Sequence, residues 1–262
     1  MAYKFFKLER SQHVTTVIID KPPMNTLDKD LYPELHTLCD ELDGDGDTRA
    51  IVFASRNPKV FIAGADIKEM TTYRFEEEWI ENRISTVHKA LNRVEDLKKP
   101  TVAVIEGHAL GGGCEFSLCC DFRFMSRGKW LIGLPEISLG IIPGGGGTLR
   151  LPRVVGYGKA SEIILTGGKM GADEAERIGL IHRACEEGKT FVAAQEFAQL
   201  LAAQAPVAAS LAKQCLRKTW GANREEGLKE EKEDCLRAVL SADAREGISA
   251  FVEKRKANWK GQ

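Results

Sequence analysis

The sequence predicts an α/β fold followed by a helical C-terminal region. Three observations carry that expectation. Residues 50–54 and 101–105 are continuous apolar runs, as expected of strands covered on both faces. Helical patterns with apolar positions on one face alternate with the strand-like runs of the first half. After about Gly156 the composition shifts and helical patterns dominate. Strand, crossover helix and strand in series build a sheet with helices packed on it.

The elements follow in order. Residues 13–20 contain Val14, Val17, Ile18 and Ile19 and read as a strand that ends at Lys21-Pro22-Pro23. Residues 28–42 read as a helix with Leu31, Leu35, Leu38 and Leu42 on one face. Asp28 and Asp30 are alternative caps, and capping by Asp30 puts Pro33 in the first turn, where its missing N–H does no harm. Gly44-Asp45-Gly46 ends that helix. Val60-Phe61-Ile62 is strand-like, and a helix opens after Asp66, a natural N-cap. The strand 101–105 leads through a triple glycine into a helix over 114–120. Helical patterns then cover 159–165, 172–179, 190–204, 206–220, 224–240 and 243–256, with Gly188, Pro206, Gly221 and Ser241 separating several of them. The expected division is an α/β core over 1–155 and a mainly helical region over 156–262.

Composition bounds the function. The chain has 262 residues, 43% hydrophobic and 29% charged, enough for one large domain or one domain with an appendage. A formal net charge of −1 gives no basic field for a nucleic-acid partner. No long uncharged apolar run suggests a membrane-spanning helix, and residues 1–7 lack the apolar stretch of a signal peptide. The seven cysteines form no C-x-x-C pair, so they read as buried free thiols of a cytoplasmic protein. The five histidines are scattered and pair with no cysteine at ligand spacing, so no metal is expected.

Chemistry concentrates at three glycine turns. In Ala109-Leu110-Gly111-Gly112-Gly113-Cys114-Glu115, glycines link a strand to a helix whose first N–H groups are free to hold a carbonyl oxygen. Glu115 falls in the first turn of that helix, where the dipole favours its ionised form and suits a general base. Phe61-Ile62-Ala63-Gly64-Ala65-Asp66 repeats the strand–turn–helix pattern. Glu136, in Gly133-Leu134-Pro135-Glu136, sits in an apolar stretch that should raise its pKa and let it carry a proton. A plainer reading competes at each place: an ordinary capped turn that needs glycine, with the glutamate a surface residue. His108 beside the triple glycine reads as a packed or loop histidine before a catalytic one. The basic residues Arg245, Lys254, Arg255, Lys256 and Lys260 read as a solvated face, with phosphate contact as the alternative. There is no phosphate-binding G-x-x-x-x-G-K, no G-x-G-x-x-G after a strand and no G-x-S-x-G.

Taken in order, these motifs resemble the enoyl-CoA hydratase (crotonase) superfamily over nearly the whole chain. The likeness includes Asn25-Thr26-Leu27-Asp28, the turns at 61–67 and 109–115, Cys120-Asp121, Leu134-Pro135-Glu136 and Leu139-Gly140-Ile141-Ile142-Pro143-Gly144. It continues through Leu165-Thr166-Gly167, Ala175 with Gly179-Leu180, and Phe251-Val252-Glu253-Lys254-Arg255. The resemblance implies a crotonase-like spiral of ββα units followed by a helical C-terminal trimerisation region. It implies an acyl-CoA thioester substrate and an enolate held by the backbone N–H groups of Ala65 and Gly112. Glu115 would then activate the water that attacks C3, and Glu136 would exchange the proton at C2. Ala63, Gly64, Asp66, Ile67, Gly111, Pro135 and Gly144 would line the substrate, and Gly144 to Gly147 would shape the pocket near the water. No cofactor is implied, since CoA is part of the substrate.

Two glutamates favour hydration over Δ3,Δ2-enoyl-CoA isomerisation; a specialised acyl group, such as a cyclic dienoyl, remains open. An additional residue near Ser126-Arg127-Gly128-Lys129 departs from the family pattern and is expected to lengthen a surface turn. Residues 70–82, with Tyr73, Phe75 and Trp79, fall where the family varies its acyl pocket. An RNA-binding or scaffolding role, known for some members, uses a lysine-rich early helix. Here that helix is acidic and would repel a phosphate backbone. Apolar Val239, Leu240, Ile248, Phe251 and Val252 exceed what a monomer's surface normally tolerates, and the resemblance points to a homotrimer or a hexamer of two trimers.

Overall fold

The computed structural model describes residues 3–262. Met1 and Ala2, part of the segment read as lacking a signal peptide, lie outside the described residues. Two sheets run through the α/β core. The larger has strand order β1 (Phe6–Ser11), β2 (Val14–Ile19), β3 (Ala50–Ser55), β5 (Thr101–Ile105), β7 (Phe122–Ser126) and β10 (Arg183–Cys185). The smaller runs β4 (Val60–Ile62), β6 (His108–Leu110), β8 (Ile132–Gly133) and β9 (Lys169–Met170). Among the described residues only the β1–β2 and β8–β9 pairs are antiparallel.

The chain alternates between the sheets. β3 enters the larger and β4 the smaller, before helices α2 (Ile67–Met70) and α3 (Glu77–Glu95). β5 and β6 repeat the step before α4 (Gly112–Cys119), and β7 and β8 repeat it again before α5 (Gly147–Val155). This is the expected spiral of ββα units. The central strands are buried on both faces, as their apolar runs require. Along β3 and β5, Ile51, Phe53, Ala103 and Ile105 face the main core, while Ala50, Val52, Val102 and Val104 face a second cluster. Helix α8 (Thr190–Ala202) covers the second cluster with Ala194, Ala198 and Ala202, one residue per turn. The first helix, α1 (Leu31–Gly44), buries Leu31, Leu35, Leu38 and Leu42 against the main core.

The remaining helices lie near where their patterns place them: α6 (Tyr157–Thr166), α7 (Ala172–Arg177), α9 (Pro206–Lys218), α10 (Arg224–Val239) and α11 (Ala242–Val252), with α7 and α11 ending short of the expected 179 and 256. Asp66 caps α2, its carboxylate accepting from the Lys68 and Glu69 amides. At α1 it is Asp28 that accepts from the Asp30 and Leu31 amides, while Asp30 makes no side-chain cap bond. β1 carries no apolar run, which is why periodicity passes over it; five of its six residues are at least partly exposed. Its hairpin to β2 turns on Gln12 and His13, with φ of 50° and 63° instead of the usual glycine.

All seven cysteines are free, as expected, but not all are buried: Cys215 is half-buried and Cys235 exposed. Cys235 lies in α10, whose only buried residue is Asp234. Among the described residues no helix is long and apolar enough to cross a membrane, and no cluster of three or more His, Cys, Asp or Glu side chains is placed to hold a metal ion.

Candidate active site

Three parallel strands deliver the site. β4, β6 and β8 lie side by side with Ile62 opposite Ala109 and Leu110 opposite Gly133. Parallel pairing makes their C-terminal ends finish at one edge of the sheet. In open α/β sheets that edge is the usual place for a ligand. The turn 63–66 leaves β4 there, the turn at Gly111 leaves β6, and Leu134-Pro135-Glu136 leaves β8.

Close approach explains the glycines. Gly64 has φ +97°, and a Cβ on it would lie 2.9 Å from the Leu110 carbonyl oxygen and 3.2 Å from the Gly112 nitrogen. A Cβ on Gly112 would lie 3.3 Å from Gly64 Cα and 3.5 Å from the Ala65 nitrogen. The amides of Ala65 and Gly112 therefore sit on adjoining turns. Among the described residues no hydrogen-bond acceptor is bonded to either. Two free N–H donors at one place are able to hold an oxygen on which negative charge develops.

Glu115 follows one turn into α4 and is only 3% exposed. Its Oε1 accepts from the Gly145 amide at 2.7 Å and the Gly147 amide at 2.8 Å. Those glycines belong to the turn expected to shape the pocket near the water; their direct grip on Glu115 was not foreseen. A Cβ on Gly145 would lie 2.6 Å from Glu115 Oε2, and one on Gly147 3.0 Å from Oε1. Gly144 itself is exposed, with nothing nearer its Cβ direction than the Ile142 carbonyl oxygen at 3.9 Å.

Burial pushes the Glu115 carboxyl above its ordinary pKa, while the Gly147 and Gly145 amides and the charge of Arg150 pull it down. The helix end is expected to favour the ionised form of Glu115; burial outweighs it, and the net shift runs toward the protonated form. So buried a carboxylate loses more by leaving water than one helix terminus returns. Glu136 behaves as its apolar setting predicts. Burial, followed by the charge of Glu115, raises it to about 7, against its own backbone N–H. Its Oε1 approaches Gly111, where a Cβ would lie 2.9 Å away, and its Oε2 is buried with no hydrogen-bond partner. An orphaned polar atom is costly unless something arrives to meet it. The two carboxylates thus sense each other across a site edged by free amides.

The enoyl-CoA hydratase/isomerase family model matches residues 9–262. The chain belongs to that family. A short-chain-enoyl-CoA hydratase of Clostridium acetobutylicum is 37% identical over 252 residues, 95% of each chain. A crotonyl-CoA hydratase of Syntrophomonas wolfei is 33% identical over 261 residues, 99% of each chain. The crystal structure of an enoyl-CoA hydratase from Geobacillus kaustophilus superposes with a TM-score of 0.94 at 32% identity, covering 100% of this chain and 98% of the other.

The other residues singled out in this enoyl-CoA hydratase/isomerase chain distribute as follows. Ala63, Gly64, Asp66 and Ile67 flank Ala65, and Ile67 is 52% exposed. Pro135 precedes the short 3-10 turn Glu136–Leu139. His108 is packed: its Nδ1 accepts from the Leu131 amide and its ring meets Trp130 edge-on. Ser126-Arg127-Gly128-Lys129 ends β7 and forms a surface turn, where Arg127 pairs with Asp173 and Glu186. In segment 70–82, the Tyr73 and Trp79 rings pack at a tilt of 57° with centroids 4.8 Å apart, and Phe75 is exposed.

Proposed function

We propose that this enzyme hydrates 2-enoyl-CoA thioesters to 3-hydroxyacyl-CoA, with Glu115 and Glu136 as its acid–base pair. The observation that carries the proposal is a pair of carboxyls, Glu115 gripped by two amides and Glu136 with a buried oxygen left without a partner, beside the free amides of Ala65 and Gly112. Those amides hold the thioester oxygen as negative charge develops on it; one such donor contributes roughly 3 kcal/mol. Glu115 takes a proton from water, the hydroxyl adds to C3, and Glu136 delivers a proton to C2. Water is consumed whole, and the two carboxyls exchange their proton states before the next turnover.

Ala63, Gly64, Asp66, Ile67, Gly111, Pro135 and Gly144 line the substrate in this proposal. CoA is part of that substrate and no further cofactor takes part. Two relatives are named for short-chain and crotonyl substrates, so crotonyl-CoA is the natural first substrate. A panel of 2-enoyl-CoA thioesters, with a 3-enoyl-CoA beside them, tests the proposal. Loss of enoyl absorbance and a product 18 mass units heavier (about one water) are expected with the 2-enoyl substrates. Double-bond shift far faster than hydration would replace this reading with an isomerase.

We further propose that region 156–262 carries oligomerisation while 1–155 carries the acyl-CoA site, and that the enzyme is a homotrimer or a hexamer of two trimers. Val239, Leu240, Ile248, Phe251 and Val252 are all exposed, Phe251 at 86%. Light scattering at micromolar concentration should return at least three times the chain's 28.9 kDa. A stable monomer would overturn it. A cytoplasmic location, favoured by seven unpaired thiols, and no nucleic-acid or membrane partner complete the proposal.

A further inference from the structure

Arg150 stands one turn into α5, its side chain 4% exposed, yet it reaches no solvent and no site surface of its own. All three of its nitrogens are engaged. Nη1 donates to the Gly145 carbonyl at 2.7 Å, Nη2 to Asn92 Oδ1 at 2.6 Å, and Nε to Glu95 Oε2 at 2.7 Å. Asn92 and Glu95 both belong to α3, so the guanidinium ties the glycine loop to a different helix. Glu95 is fixed in turn by Arg217 of α9, which also pairs with Asp121.

The bonded carbonyl belongs to the residue whose amide grips Glu115. Fixing the peptide plane on one side of a glycine narrows, through φ and ψ, the orientations open to the plane on the other side, and glycine has the most such freedom to lose. We infer that Arg150 is a positioning residue that holds Glu115 in register through Gly145. The inference rests on Glu115 acting as proposed above. The space at Gly146 agrees with it: a Cβ there would lie 2.2 Å from Arg150 Nη1, so the loop has closed around the guanidinium.

Arg150 also acts by charge. The groups that bear on Glu115 are Arg150 from α5, His88 from α3, Tyr32 from α1, Glu136 after β8, and Cys114 and Cys119 within α4. Arg150 and His88 lower the Glu115 pKa against burial. Removing the guanidinium should therefore raise it further. The ionised fraction then falls at any given pH, and the acidic limb of the rate profile moves to higher pH.

The test is Arg150→Met with crotonyl-CoA over a range of pH, beside Arg150→Lys and Asn92→Ala. Arg150→Met should lower kcat by about 100-fold with KM little changed, the scale of a small misplacement, and shift the acidic limb upward. Arg150→Lys keeps the charge, so its limb should stay near wild type, but one ammonium replaces a three-way fork and kcat recovers only in part. Asn92→Ala, at an exposed position, removes one anchor and should give a milder loss even if Arg150→Met folds poorly. Crystal structures give a readout free of turnover: in Arg150→Met the Gly145 and Gly147 amides should no longer both reach Glu115. An unshifted pH profile, or both amide bonds kept at wild-type length, overturns the inference. If instead the wild type hydrates no 2-enoyl-CoA, the functional proposal fails, and the variant structures still decide whether Arg150 positions Glu115.

Discussion

Glu115→Gln is expected to lower kcat for hydration at least about 100-fold, and Glu136→Gln by a similar factor, the scale of a lost general acid or base. The amide keeps the shape of each side chain but can no longer take up or release a proton. KM should change far less, because in the proposed mechanism the thioester is anchored by backbone amides and by the CoA moiety. The double variant should cost much less than the product of the single losses, since both groups act on one water. The pH profile follows from the same pair. Activity needs Glu115 ionised, so it falls on the acid side as Glu115 takes a proton. It needs Glu136 protonated, and Glu136 is raised to about 7, so activity also falls as pH rises through that value. The two limbs belong to the coupled pair. The alkaline limb near 7 should vanish in Glu136→Gln. Steady-state kinetics followed by enoyl absorbance checks each point; full activity in Glu115→Gln would sink the two-carboxylate mechanism.

The site was legible in the sequence where local chemistry and position coincide. Glycine runs between a strand and a helix announce free amides, and both turns do lie beside each other. Glu136 betrays its raised pKa by its apolar neighbours. What the sequence hides is long range. Nothing local to Glu115 says that Gly145 and Gly147, thirty and more residues away, will bond to it. Arg150 carries only a faint mark, a lone charge in Leu149-Arg150-Leu151. The pKa of Glu115 departs from its local signal for a related reason: first-turn position is read along the chain, while burial is decided by α3 and the glycine loop packing over it. The fold divides the same way. Buried strands and amphipathic helices declare themselves by periodicity. The two- and three-residue strands β6, β8, β9 and β10 are too short to have one, and exist because their neighbours pair with them.

Gly113→Ala should be among the most damaging single substitutions in the chain. Gly113 has an ordinary backbone conformation, so alanine is not strained by φ. The objection is contact. A Cβ would lie 1.9 Å from the Ile62 carbonyl oxygen and 2.8 Å from its carbon. Both are backbone atoms of β4, which is pinned in the sheet by β6 and packed against α4. No side chain can swing away, so either the strand or the start of α4 must move. Forced overpacking costs about 3 kcal/mol or more when the neighbour is backbone, a fall of roughly 10 °C in Tm. Gly46→Ala is the control. Its Cβ would meet nothing within 4 Å, and an exposed substitution of this kind stays within about 0.5 kcal/mol of neutral. Activity should fall further than stability explains. Moving α4 away from β4 parts the Gly112 amide from the Ala65 amide, and the donors no longer converge on one oxygen. Protein that remains folded at 25 °C should therefore still lose at least about tenfold in kcat. Thermal melts and kinetics on the same preparation test both halves: a wild-type Tm would mean the two elements are not pressed together, and a lowered Tm with unchanged kcat would remove the paired amides from the mechanism.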